Sequence, residues 1–119
     1  MVMAFLKTAA LGFIFLLSSA FTFFHHGWAE YDQEKVLDYK TTIEKSLWEN
    51  PHALATVKYK GKMTTVYLAP TSRMISRGLS EEMIKKGKAV RLVAYPHKTE
   101  KNEMRAERIY VDGKKYELR

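Results

Sequence analysis

Ala53-Leu54-Ala55-Thr56-Val57-Lys58-Tyr59-Lys60-Gly61-Lys62-Met63-Thr64-Thr65-Val66-Tyr67-Leu68-Ala69 is the stretch on which the fold turns. Ala53, Ala55, Val57 and Tyr59 recur at every second position, with Lys58 and Lys60 between them, the period of a strand with one wet face. Gly61 supplies the turn. Met63, Thr65, Tyr67 and Ala69 are the expected inward set of the returning strand, so a hairpin covers residues 53 to 69.

The same period extends outward in both directions. Upstream, Leu37, Tyr39, Thr41 and Ile43 alternate with Asp38, Lys40, Thr42 and Glu44. That parity does not bring Trp48 inward, so a bulge or bend is expected around Lys45-Ser46. Asn50-Pro51 interrupts the ladder, because proline has no N–H and holds the residue before it extended. Downstream, Pro70 ends the hairpin. Thr71 or Ser72 is a candidate cap for a short helix through Ser76, with Gly78 as its left-handed stop. Ser80 caps a second turn, with Glu81 and Glu82 at its positive end and Lys85, Lys86 and Gly87 closing it. Val90, Leu92 and Ala94 alternate again, residues 97 to 103 are polar loop, and 104 to 111 form a strand. Asp112-Gly113 is a type I′ hairpin signal before Lys114 to Leu118. Five or six strands with one short helix between the third and fourth predict an all-β, OB-like barrel, since closure removes the exposed edges of so few strands. The alternative is an open two-layer sheet with the helix on one face.

The chain has 119 residues, one domain's worth. It has no cysteine, which excludes disulfides, Cys-ligated metals and thiol nucleophiles. The formal charge is +7 and the pI near 9.6, so anionic partners enter consideration.

Composition breaks near residue 28. Phe5, Phe13, Phe15, Phe21, Phe23 and Phe24 include every phenylalanine of the chain, and residues 8 to 24 carry no charge. Lys7, the apolar run from Ala9 to Leu17 and the small residues Ser18-Ser19-Ala20 form a signal-peptide pattern with a cut expected after Ala20. The same run is just long enough to span a bilayer, which needs roughly 17–25 residues. A second candidate cut, at Gly27-Trp28-Ala29, would discard His25 and His26. The domain plan is therefore a signal peptide over 1–20, or an uncleaved anchor over 2–24. An N-terminal segment over 21–35 follows, then the barrel over 36–119. Either processing predicts a periplasmic or secreted body, or one anchored to the inner membrane and facing the periplasm.

The candidate chemistry rests on histidine. Imidazole is the usual ligand of zinc and copper, and His25, His26 and His52 could converge if the strands between them bring the first pair to the third. Adjacent strand residues point to opposite faces, so His25 and His26 share a metal only where the backbone is irregular, which Gly27 permits. Glu30 and Asp32 are near enough in sequence to add oxygen ligands. The competing reading is a polar lead-in to the domain, with His52 fixing the Asn-Pro bend by hydrogen bonding. Met63, Met74, Met83 and Met104 are soft donors that could suggest a Cu(I) carrier, but their strand and helix positions favour core filling.

His25-His26-Gly27-Trp28-Ala29-Glu30-Tyr31-Asp32 and Leu47-Trp48-Glu49-Asn50-Pro51-His52 resemble the small secreted bacterial proteins of domain-of-unknown-function family six-one-five-two. Members look like a signal peptide, then His-His-Ser-(Trp/Phe), then a strand ending Trp-x-Asn-Pro-His and a Gly-Asp-x-Val strand. Ser72 to Leu79, Ile84 to Val93 and Arg105-Ala106-Glu107-Arg108 are similar to its later segments. The resemblance implies an OB-like envelope protein with no established activity, and it adds weight to His25, His26 and His52 as metal ligands. Gly27 stands where the family has Ser, and Lys88 where it has Asp.

No nucleophile elbow, phosphate-cradling loop or zinc-protease helix is present, so no enzyme is expected. The reading is an exported, non-enzymatic module holding zinc or copper through the histidines. Its rival is an OB-type module for an anionic ligand (a single-stranded nucleic acid or an envelope lipid) or for a protein partner. Lys58, Lys60 and Lys62 with Tyr59 and Tyr67 favour that rival.

Overall fold

A computed structural model describes residues 27–119; the expected signal segment, His25 and His26 lie outside the described residues. Six strands form the sheet: β1 (Leu37–Leu47), β2 (Leu54–Tyr59), β3 (Lys62–Tyr67), β4 (Ala89–Pro96), β5 (Glu103–Val111) and β6 (Lys114–Glu117). One short helix, α1 (Thr71–Ser76), lies between β3 and β4. Pairing runs β3-β2-β1-β4-β5-β6, and β3 also pairs with β5 in parallel, Thr65 to Glu103 and Tyr67 to Arg105. That contact closes five strands in the order 1-2-3-5-4-1, and β6 extends β5 outside the ring. The protein is all-β, an OB-like barrel.

β1 serves two neighbours. Leu37–Thr42 pair with β4, and Ile43–Leu47 pair with β2. The register slips between Ile43 and Lys45, so the bulge falls slightly before the predicted Lys45-Ser46. The extra residue swaps the faces: Ile43 is fully buried, Leu47 turns out to solvent and Trp48 packs on the core. A strand that turns a barrel corner needs this added bend.

The returning strand of the hairpin departs from expectation. Lys60 and Gly61 both have positive φ, 50° and 78°, and make a two-residue turn. Such a turn pairs Tyr59 with Lys62, hence Lys58 with Met63 and Val57 with Thr64. Thr64, Val66 and Leu68 therefore fill the core, while Met63 is 52% exposed. Met63, Thr65 and Tyr67 do not face inward as the alternation suggested, because a one-residue shift in register turns every side chain to the other face. For the same reason Lys62 stands opposite Tyr59 and does not share a face with Lys58.

Neither Thr71 nor Ser72 caps α1. Pro70 occupies the cap without a side-chain bond, and the Thr71 hydroxyl donates to Asn50 Oδ1 at 3.0 Å, tying the helix to the β1–β2 bend. The far end stops as expected at Gly78, whose φ of 91° lets its N–H reach Ile75 O while Leu79 N–H reaches Met74 O, both at 2.9 Å. Met74 and Leu79 are fully buried, as is Ile84 of the 3-10 turn Glu81–Ile84. Asp112 (φ 51°) and Gly113 (φ 78°) make the predicted last hairpin.

The chain before β1 is docked on the barrel. A 3-10 turn, Trp28–Glu30, is followed by an isolated bridge between Tyr31 and His97. Asp32 N–H donates to Pro96 O at 2.8 Å, and Lys98 N–H to Glu30 O at 2.9 Å.

Candidate functional site: a cationic cluster on the β3–β5 seam

Closure of the barrel decides which side chains meet. Tyr67 and Arg105 are register partners across the parallel seam, and the bend after Pro51 brings His52 onto them. His52 Nε2 lies 3.3 Å from Arg105 Nη2, and its ring meets Tyr67 edge-on at 6.3 Å. Trp28 covers the guanidinium from the other side. The Arg105 Cζ is 4.4 Å from the centroid of the indole ring, and the Arg119 Cζ is 4.3 Å from it. Gly27 passes so close that a Cβ there would stand 3.0 Å from Arg105 Nη1, with φ at 122°, a conformation open only to glycine.

Arg105 is the unusual member. It is half-buried, its Nε is buried with no hydrogen-bond partner, and no carboxylate among the described residues forms an ion pair with it. Burial lowers its pKa, and the charges of Arg73 and Arg119 push in the same direction, against Tyr31. Burial also lowers the pKa of His52, helped by Arg105 and then Arg73. Arg73 itself donates to Leu118 O at 3.2 Å. Three guanidiniums and a neutral imidazole thus share one end of the barrel, and every pKa shift there disfavours further positive charge.

That geometry bears on the predicted metal ligands. His52 is present, but its Nε2 faces a guanidinium. A dication about 5 Å from one such charge meets roughly 7 kcal/mol of repulsion at an effective dielectric of ~20, and a monoanion gains about half that. Asp32 does not approach His52: its Oδ1 accepts from Glu34 N–H at 3.1 Å. Glu30 is drawn instead toward His97, its Oε2 3.8 Å from His97 Nε2. Glu103 Oε2 stands at the same distance from that nitrogen and accepts from Tyr31 OH at 2.8 Å. His97 Nδ1 accepts the backbone N–H groups of Thr99 (3.1 Å) and Glu100 (2.9 Å), so the neutral ring carries its proton on Nε2. A protonated Nε2 offers the two carboxylates a hydrogen and has no lone pair for a metal. Among the described residues no group of three His, Asp or Glu could hold a metal ion.

Met74 and Met104 fill the core as expected, and Tyr39 OH donates to Met104 Sδ at 3.2 Å. A second basic place lies further along the seam. Lys60, Lys62, Lys98 and Lys101 line a cleft of about 680 Å³ with Tyr59, His97 and Glu103.

Compared with known proteins, residues 14–105 match a family of unknown function (DUF6152). The chain belongs to that family. No curated protein matches it. The DUF6152 match covers the histidine pair, the Asn50-Pro51-His52 bend and Arg73, and it ends at Arg105, so all four features sit inside the family's own span. Sequence reasoning on this DUF6152 chain found His52 and missed Arg73, Arg105 and Arg119. The outward parity of Arg105 on β5 was readable, but nothing in one dimension sets residue 105 beside residues 28 and 52.

The His52 environment predicts a pH effect with a definite sign. Its folded pKa is below 6.5, so between 6.5 and that lower value the unfolded chain binds the proton and the folded chain does not. Stability is unaffected above about pH 6.5 and declines as pH falls through this window. His52→Gln flattens that part of a urea-denaturation pH profile. A profile unchanged by the substitution contradicts the assignment.

Proposed function

We propose that the protein is an exported, non-enzymatic OB-like binding module that takes an anionic oxygen ligand, carboxylate or phosphate, at the cluster of His52, Arg73 and Arg105 under Trp28. The observation that carries this reading is Arg105, half-buried with an unsatisfied Nε–H and no carboxylate partner among the described residues. A buried donor left without a partner costs about 1–3 kcal/mol. An anion beside the guanidinium would offset the repulsion among the arginines. Arg suits such a ligand because its planar fork presents parallel donors. Trp28 and Tyr67 supply the apolar walls.

Metal binding through His25 or His26 with His52 is the second reading, and one observation favours it. Gly27, the residue after His26, touches the same guanidinium that touches His52. His52 is also held toward its neutral form, as a ligand must be.

One pair of titrations separates the two. Inorganic phosphate is expected to shift the Arg105 Nε–H and His52 resonances in an NMR spectrum, saturably and less so as salt rises. Zinc is expected to leave His52 unmoved. Saturable shifts of His52 with zinc, and none with phosphate, would replace the anion reading with the metal one.

A further inference from the structure

The cationic cluster lies where the polypeptide leaves the barrel toward its apolar N-terminal run. A Cβ on Gly27 would stand 3.0 Å from Arg105 Nη1, and Phe24, the last residue of that run, is only three residues earlier. Extended chain covers at most about 3.6 Å per residue, so Phe24 lies within about 11 Å of Gly27 whatever path the chain takes. The relation survives a cut after Ala20, which leaves Phe21, Phe23 and Phe24 on the protein. It is lost only with a cut after Ala29.

We infer that this end of the barrel is a membrane-docking face, with Arg73 and Arg105 facing the phosphates of an anionic lipid surface, while Arg119 is held by Gln33 and Glu107. The inference rests on the anion-site reading above and names the source of the anion. Two independent features converge on it. The first is charge: Arg105 is half-buried and no carboxylate among the described residues pairs with it, so its positive charge is not neutralised within the described residues. The second is continuity: a run of apolar and aromatic residues adjoins the cluster in the sequence, a composition that partitions into the headgroup and acyl boundary. Trp28, held between two guanidiniums, sits at the level where indole rings are enriched at membrane interfaces. Lys60 and Lys62 of the basic cleft stand at the opposite end of β3 from Tyr67, the register partner of Arg105, and serve as an internal control.

The test uses the full chain, with Trp48 changed to Phe so that Trp28 alone reports. The protein is reconstituted in vesicles of phosphatidylcholine, and in vesicles of equal parts phosphatidylcholine and phosphatidylglycerol, each with a headgroup spin-labelled lipid. Strong quenching of Trp28 in the anionic vesicles and weak quenching in the neutral ones is expected. Arg73→Gln should weaken the anionic preference about 5-fold, the worth of one basic residue near the surface, whereas Lys60→Gln with Lys62→Gln should leave it unchanged. Equal quenching in both vesicles, or loss of preference only in the lysine variant, overturns the membrane face. If phosphate still shifts the Arg105 Nε–H in that case, the anion site stands and only its lipid source fails. If phosphate is silent too, both fall.

Discussion

Arg105→Gln abolishes the phosphate response at His52 and moves the His52 pKa back toward 6.5. Glutamine keeps a hydrogen-bond donor on a shorter arm but removes the charge, and with it the second cause of the His52 shift after burial. The Trp28 ring loses one of its two guanidinium neighbours, an interaction worth about 0.5–2 kcal/mol. Fluorescence of Trp28 should therefore shift to the red as the Trp28–Glu30 turn loosens, while the thermal unfolding midpoint changes little. Arg105→Lys is the informative companion. It restores the charge without the planar fork, so it should recover the His52 pKa but only part of the phosphate affinity. Phosphate shifts that persist in the glutamine variant would remove Arg105 from the site.

Leu92→Ala has the larger effect on folding. Tyr39, Leu92, Ile109 and Tyr116 stand in one row across β1, β4, β5 and β6. Leu92 and Ile109 are completely buried, and the row links the closed ring to the added strand. Truncation of a fully buried leucine costs about 2–5 kcal/mol, partly as lost transfer energy and partly as the cavity left behind. Against the 5–15 kcal/mol that holds a domain of this size, the loss is severe. At roughly 4–8 °C per kcal/mol for a domain of 60–100 residues, the melting midpoint should drop by at least about 8 °C in calorimetry. Val36→Ala, at a position 58% exposed, is the control and should stay within about 0.5 kcal/mol of the parent. A Leu92→Ala midpoint no lower than that of Val36→Ala would mean that the row is not the core described above.

Much of the barrel was legible because strand alternation and turn residues are local. Val57, Ile43, Leu92 and Ala94 went inward as their parity required, and Asp112-Gly113 turned as its chemistry required. The misassigned face of β3 was legible too. A two-residue Lys60-Gly61 turn obliges Tyr59 to pair with Lys62, and that pairing puts Thr64, not Met63, in the core. Alternation within one strand has two solutions, and only its partner selects between them.

By itself, the amino-acid order determined an all-β body of alternating strands, a short helix ended by Gly78, an apolar N-terminal run and membership features around two histidine motifs. These are properties of neighbours along the chain, set by steric limits on φ and by which side of a pleat each residue occupies. Only the tertiary structure decided that His52 faces Arg105, that Trp28 lies between Arg105 and Arg119, and that Glu30 turns to His97. Those meetings depend on the β3–β5 closure, which joins segments remote in sequence. Charge and burial act through space, so the gathering of positive charge at this end of the barrel exists only once the ring is shut.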